Sequence, residues 1–148
     1  MRPCRGFTLV ELIGLIAIAG ILLAVAVPRF FSANTFAARG YADAAAGFLR
    51  YAQKLAVARH ASLYVHVGAG DLTLCASAAP PCLGANLLPG PDGQAPFRIQ
   101  VPNDVNQTAS GASLGFDAQG RPTGALTLTL TADSVRTLTV EAETGYVH

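Results

Sequence analysis

The chain has 148 residues, of which 51% are hydrophobic and 13% are charged, and its formal net charge is +1 at pH 7. This composition fits one small domain together with a membrane element, and the length leaves no room for a second domain within these residues.

The first predicted element is an apolar helix over residues 7–27, where the only polar side chains are Thr8 and Glu11. Its 21 residues would reach roughly 32 Å, which matches the hydrocarbon core of a bilayer. Two arginines lie in residues 1–6, whereas Arg29 is the only basic residue soon after the run. The positive-inside rule therefore predicts a cytoplasmic N-terminus and an exported remainder.

Glu11 is the one carboxylate inside this apolar run. A charge at the bilayer centre costs about 2.5–3.5 kcal/mol on insertion scales, so such a residue usually has a partner and a function. A carboxylate near the end of a span can instead be solvated at headgroup depth. The position of Glu11 alone leaves both interpretations open.

A specific motif joins the N-terminal residues to the apolar run, and it reads Gly6-Phe7-Thr8-Leu9-Val10-Glu11-Leu12-Ile13. It resembles the class III signal of type IV prepilins and type II secretion pseudopilins. The resemblance implies that residues 1–6 are a leader, that a prepilin peptidase cuts between Gly6 and Phe7, and that the amino group of Phe7 is methylated. It also assigns filament assembly to Phe7, Thr8 and Glu11. In an apolar filament core, the Glu11 carboxylate would neutralise the Phe7 ammonium of a neighbouring subunit.

Pro28 follows the apolar run directly. It matches the position at which such pilins carry a proline that kinks or locally melts the helix, because proline removes a backbone hydrogen bond.

An ordinary signal peptide is the alternative interpretation of the N-terminus. Ala24-Val25-Ala26 resembles an A-x-A cleavage site after an apolar stretch, and its use would release a soluble periplasmic protein. Glu11 interrupts the start of the apolar region that such a signal needs. The two interpretations predict different mature N-termini.

The second predicted element is an amphipathic helix over residues 28–61. The segment is rich in alanine and has no proline after Pro28. We expect its buried face to be formed by apolar residues at helical spacing, namely Phe36, Tyr41, Ala44, Phe48, Tyr51, Ala52 and Leu55.

A head domain over residues 62–148 follows, in which the apolar period changes to two. Five runs alternate in this way and predict an antiparallel sheet with one buried face, and they cover residues 63–67, 72–74, 97–101, 126–130 and 138–141. The leucines of the fourth run, with Leu138 and Val140, should pack on the helix and leave the threonines toward solvent. Gly68 to Asp71 predicts a hairpin turn, and residues 79–96 predict a long surface loop.

Cys75 and Cys82 form an even pair once Cys4 leaves with the leader. In an oxidising periplasm we expect a disulfide between them. Two free thiols are the alternative, and a metal site is disfavoured because no histidine lies at zinc-ligand spacing.

The last third of the chain contains "GFDAQGRPTG", "LTLTLT" and "RTLTVEAETGYVH". These strings resemble the GspH/FimT group of minor pilins and pseudopilins, and within it most of all the minor pilins of the mannose-sensitive haemagglutinin (MSHA) pilus. The first string predicts a strand that ends at Phe116 and then a turn on Asp117 and Gly120. A plain hairpin connection would explain that string equally well.

Enzyme and nucleic-acid functions are disfavoured. The sequence has no G-x-S-x-G, H-E-x-x-H or phosphate-loop motif, so we expect no catalytic residue, no metal and no cofactor. Some FimT relatives bind DNA through a basic C-terminal tail, but Tyr146 and His148 stand where those relatives carry arginines. Residues 61–148 contain three basic and seven acidic side chains, which would repel phosphate.

The sequence therefore predicts an α+β, type IV pilin-like fold, with a long N-terminal helix packed on a small antiparallel head. The resemblance implies a minor pilin or pseudopilin that initiates or caps assembly of an MSHA-type pilus or a type II secretion pseudopilus. Its partners would be the prepilin peptidase, the major pilin, other minor pilins or pseudopilins and the bacterial inner membrane, with the head in the periplasm. The alternatives are a DNA-uptake pilin, a surface-binding adhesin module whose function lies in the 76–96 loop, or a secreted binding domain.

Overall fold

The structure is a computed structural model that describes residues 8–30 and 33–148, with side chains for residues 8–24 and 36–148. The chain divides into two compact units, Met1–Ala33 and Asn34–His148. Helix α1 covers Leu9–Phe30, and helix α2 covers Ala33–Arg59. The α+β class predicted from the sequence is confirmed.

Helix α2 buries one face in the core of the second unit. Its buried positions lie on one side of the helix, mostly three or four residues apart, and they are Ala38, Tyr41, Ala45, Ala46, Phe48, Leu49, Ala52 and Ala56. Three of the expected positions, Tyr41, Phe48 and Ala52, belong to this row.

Two positions of the expected row are wrong, because Phe36 and Ala44 are exposed. Phe36 is five residues from Tyr41, and five residues turn through about 500°, so its side chain points about 140° away from that of Tyr41. Ala44 precedes the buried Ala45 by one residue, which rotates it by about 100° out of the row. The remaining two, Tyr51 and Leu55, are half-buried at the margin.

The described part of the head contains seven strands, joined in chain order by turns and one 3-10 helix, Gly84–Asn86. The strands are β1 Leu63–Val67, β2 Asp71–Cys75, β3 Arg98–Gln100, β4 Asn106–Ala109, β5 Ser113–Phe116, β6 Leu126–Thr131 and β7 Val135–Val140. They form two sheets with the orders β3-β2-β1-β5 and β4-β6-β7, and every pairing is antiparallel.

The expectation of one sheet is therefore wrong. Alternation tells which side chains share a face but not which strand lies beside which, so it cannot divide the strands between sheets. Strand β4 was also missed, since its sequence Asn-Gln-Thr-Ala offers no apolar period. The predicted hairpin turn is present, with the Gly68 N–H donating to the carbonyl of Asp71 at 2.8 Å.

One hydrophobic cluster joins α2 to both sheets. The predicted inward rows of β6 and β7 are buried, with Leu126 opposite Val140 and Leu128 opposite Leu138. On the other sheet, the ring of Phe97 stacks on Phe48 of α2 with centroids 4.5 Å apart. The threonines that alternate with these leucines are half-buried or exposed.

The last residues fold back along β7. Thr139 and His148 exchange two backbone hydrogen bonds of 2.7 and 3.0 Å, and the Glu141 N–H donates to the carbonyl of Tyr146. The tail thus covers the outer edge of β7, which removes an unpaired strand edge from the surface.

Candidate assembly sites

Helix α1 begins with a capped N-terminus. The Glu11 N–H is 3.3 Å from the Thr8 hydroxyl oxygen and 3.1 Å from the Thr8 carbonyl, and the Leu12 N–H also donates to that carbonyl. Thr8 is therefore the N-cap, and its side chain gives the Glu11 N–H a second acceptor in the first turn, where backbone donors lack the usual i−4 partner.

This cap gives Thr8 and Glu11 a local role that the sequence analysis missed. Thr8-Leu9-Val10-Glu11 has the T-x-x-E spacing of a capping box, a signal that is readable from sequence. Glu11 lies in the first turn, where its negative charge interacts favourably with the helix dipole. The Glu11 side chain is exposed, so its carboxylate is accessible to a partner.

The described part of α1 presents an apolar surface on all sides. Ten large apolar side chains between Leu9 and Leu23 are 52–78% exposed. Contiguous exposed apolar surface of this kind marks a site of interaction with protein or lipid. Within the described residues, no helix has the combined length and apolarity needed to traverse a membrane.

Several predicted assembly residues lie at or beyond the limits of the description. Gly6 and Phe7, which carry the predicted cleavage and methylation, lie outside the described residues. Pro28 is part of α1, two residues before the helix ends at Phe30, but its side chain is not described. The predicted kink at Pro28 stays a prediction.

The disulfide joins Cys75, at the end of β2, to Cys82, with Cα atoms 5.9 Å apart. Cys75 is fully buried and also bridges to Leu87 through the backbone. The closed loop borders a cavity of about 380 Å³ on the outer face of the four-stranded sheet. His66 contributes to its wall, and the His66 Nε2 is 2.9 Å from the carbonyl of Ser77.

A charged pair forms the floor of this cavity. The Arg98 Nε lies 3.0 Å from Asp71 Oδ2 and donates to the Thr73 hydroxyl, which in turn donates to the same carboxylate oxygen. The three side chains come from adjacent strands, β2 and β3, and hold one another in place. Sequence reasoning did not single them out, since only the strand register brings Thr73 opposite Arg98.

Two side chains of α2 hold the turn and the tail that carry the C-terminal motif. The amide nitrogen of Gln53 donates to the carbonyls of Gly120, at 2.8 Å, and Thr144, at 3.4 Å. The Arg50 Nη2 donates to the carbonyl of Val147 at 2.9 Å. The predicted turn on Asp117 and Gly120 therefore also serves as a docking point for the helix.

Tyr41 and Gln107 form a buried polar contact between α2 and β4. The Tyr41 hydroxyl donates to Gln107 Oε1 at 2.6 Å, and the Gln107 amide donates to the carbonyl of Gly68 at 3.0 Å. Burial raises the pKa of Tyr41 to about 12, and the nearby Asp71 carboxylate adds to the shift. This contact was not foreseen, because β4 was not recognised as a strand.

Two family models match the chain. A prokaryotic N-terminal methylation motif matches residues 1–27, and the type II transport protein GspH matches residues 41–144. The chain belongs to the GspH family. The matched span includes most of α2, both sheets and the turn held by Gln53, so the family's model covers the head that the structure describes.

Solved structures show the same fold as this GspH-family chain. The type IV minor pilin FimU of Pseudomonas aeruginosa strain PAO1 matches in two crystal forms, at 14% and 15% identity and TM-scores of 0.55 and 0.57. Each match covers 74% of this chain and 85% or 90% of the FimU chain. No curated protein sequence matches the chain. The chain thus belongs to the family of a type II transport protein and shares the fold of a type IV minor pilin.

Proposed function

We propose that this GspH-family chain is a membrane-anchored, non-enzymatic minor pilin or pseudopilin that initiates or caps a filament. The observation that carries the proposal is the N-terminus of α1, where a capped first turn presents the Glu11 carboxylate ahead of a helix whose large apolar side chains are exposed. Such a surface needs lipid before assembly and neighbouring apolar helices after it. The methylation motif at residues 1–27 supports processing at the same terminus.

In this proposal the prepilin peptidase cuts between Gly6 and Phe7 at the cytoplasmic face of the inner membrane, and the head lies in the periplasm. The new ammonium of Phe7 then becomes the partner of Glu11 on a neighbouring subunit. Two opposite charges attract far more strongly in a filament core of low dielectric than in water. One buried charge pair also fixes the axial register between neighbours.

We place the chain in an MSHA-type pilus, with a type II secretion pseudopilus as the alternative system. The partners are the peptidase, the major pilin and other minor pilins or pseudopilins. The similarity of its C-terminal strings to MSHA minor pilins supports the first system, and the GspH model supports the second.

A surface-binding module is a second candidate. The cavity beside the disulfide loop favours it, because about 380 Å³ with a fixed Asp71–Arg98 pair is within the range of small-ligand sites. Replacing residues 76–81 should then abolish attachment to a target surface while filaments still form. DNA uptake has less support, since Glu141 and Glu143 flank the tail.

The test of the proposed function is the N-terminal sequence and intact mass of the protein from native membranes, with the peptidase present and absent. We expect a peptidase-dependent start at methylated Phe7. Gly6→Val should block this cleavage, whereas the matched change Gly14→Val should not, because a side chain at Gly14 meets no atom within 4 Å. A mature N-terminus at Val27 that does not depend on the peptidase would contradict the proposal and would indicate a secreted domain.

A further inference from the structure

An arginine occupies the core-facing row of β7. Side chains alternate along a strand, so Arg136, Leu138 and Val140 share one face. Leu138 and Val140 are buried, and Leu130, which lies opposite Arg136 on β6, is fully buried. The alternation in both strands predicts an apolar residue at position 136, but the residue at this position is an arginine.

The Nε of Arg136 is buried and has no hydrogen-bond partner among the residues that the structure describes. A buried donor of a charged group is strongly destabilising when it lacks an acceptor, so native proteins almost always supply one. An acceptor supplied by a group outside the described residues would remove this cost.

The surroundings of Arg136 indicate what that group is. Arg136 lines a cavity of about 300 Å³ to which Arg50, Asp43 and His148 also contribute. Arg50 is fixed by its hydrogen bond to the carbonyl of Val147. Two guanidinium groups and one carboxylate side chain, that of Asp43, therefore line the cavity. The Asp43 side chain is exposed.

A carboxylate fits this arrangement best. Guanidinium groups bind planar carboxylates through charge-assisted, often paired hydrogen bonds. A polyanion such as nucleic acid is disfavoured, because Glu141 and Glu143 are exposed in the turn next to the tail and would repel adjacent phosphates.

We propose that the Arg50–Arg136 cavity is a docking site for an aspartate or glutamate side chain of a neighbouring protein subunit. The carboxylate site is inferred from the buried Arg136 Nε and from the cavity that Arg136 lines. The identity of the partner as a filament subunit rests on the proposed function. Docking would supply the acceptor that the Arg136 Nε lacks and would hold α2 and β7 of one head against an acidic neighbour.

The test is an NMR titration of the ¹⁵N-labelled full chain in detergent micelles at pH 6, which follows the Nε–H resonances of the arginines. The probes are sodium acetate and sodium glutarate, compared with sodium chloride at equal ionic strength, sodium phosphate and a short DNA duplex. The Arg136 resonance is assigned through bonds to its backbone and by its loss in Arg136→Lys. Arg121, exposed in the turn after β5, is the internal control, and Arg121→Lys is the matched variant.

We expect acetate and glutarate to shift the Arg136 resonance along a saturating curve in the millimolar range while the Arg121 resonance follows ionic strength alone. If the Arg136 resonance does not shift when acetate or glutarate is added, the acceptor is water and the proposal is overturned. Saturation by phosphate or DNA but not by carboxylates would overturn it as well. The wild-type titration decides the matter even if Arg136→Lys is unstable, and no outcome depends on peptidase processing.

Discussion

Tyr41 and Gln107 lie 66 residues apart in sequence and share a buried hydrogen bond of 2.6 Å. Because Gln107 also donates to the carbonyl of Gly68, this contact joins three parts of the head: helix α2, strand β4 of one sheet and the β1–β2 turn of the other. Hydrophobic burial is non-directional, whereas these hydrogen bonds form only when the helix and the two sheets have one relative arrangement. It therefore fixes how the helix and the two sheets are aligned.

Removal of the Tyr41 hydroxyl should destabilise the head. Tyr41→Phe leaves Gln107 Oε1 buried without its donor, and we expect a loss of about 1–3 kcal/mol in the free energy of unfolding. Urea unfolding of the purified chain, followed by circular dichroism, measures this loss. The matched change Tyr146→Phe, at an exposed ring, should alter stability by less than about 0.5 kcal/mol. Equal stability of the two variants would contradict the role given to Tyr41.

The pKa of Tyr41 predicts a loss of stability at high pH. In the folded chain this pKa is about 12, against the ordinary tyrosine pKa of 10.0. Below pH 10 both states keep the proton, so the contribution is fully present; as pH rises from 10 to 12, the unfolded chain ionises first and stability falls. The loss should continue until the pH passes the folded-state pKa of about 12, above which both states are ionised.

The difference between wild type and Tyr41→Phe isolates this titration from those of lysine and the other tyrosines. Urea unfolding at several pH values between 9 and 12 should show the wild type losing more stability than the variant in this window. Parallel pH profiles would show that the tyrosine at position 41 does not titrate as described.

The Cys75–Cys82 disulfide should stabilise the head by about 2.5 kcal/mol, because it closes an eight-residue loop in the unfolded chain. The double change Cys75→Ala and Cys82→Ala and the reduction of wild type should lower the unfolding free energy by similar amounts. Cys4→Ala is the matched control and should change nothing. A reduced protein as stable as the oxidised one would contradict this prediction.

Gly145 should not tolerate a side chain. It has a φ of +68°, and a Cβ there would lie 2.5 Å from the Gln53 amide nitrogen that holds the tail. Gly145→Ala should therefore cost about 1–2 kcal/mol and loosen residues 141–148. Gly124→Ala is the control, because a Cβ at Gly124 meets nothing within 4 Å. Hydrogen exchange of the His148 and Glu141 amides reports the tail directly, and unchanged protection in Gly145→Ala would be the contrary result.

The alternating strands were predictable because the buried apolar residues of β6 and β7 repeat every two residues. Such a repeat is typical of a strand with one buried face. The division into two sheets was not, since it depends on which strands meet in space. The polar strand β4 was invisible to the same rule, and with it the contact between Tyr41 and Gln107. The helix cap could also have been predicted from the sequence, because Thr8 and Glu11 stand at the spacing of a capping box.

Arg136 shows the opposite case, in which a local rule fails for a reason. Its position in the row of Leu138 and Val140 could have been read from the sequence as an exception to the alternation. The sequence could not show that the Arg136 Nε is buried without a partner in the described part of the chain, because burial depends on how α2 packs over β7. Exceptions of this kind are where function is expected.

In the proposed function Glu11 joins this chain to a filament, and the composition of the filaments tests this role most directly. Filaments sheared from cells that carry wild type, Glu11→Ala or Glu11→Gln would be analysed by quantitative mass spectrometry. We predict that the wild-type chain is present as a minor component and starts at Phe7, and that both variants are processed but depleted at least tenfold. The Asp104→Asn variant, which alters an exposed carboxylate of the head, should enter filaments normally. Incorporation of Glu11→Ala at the wild-type level would contradict the claim.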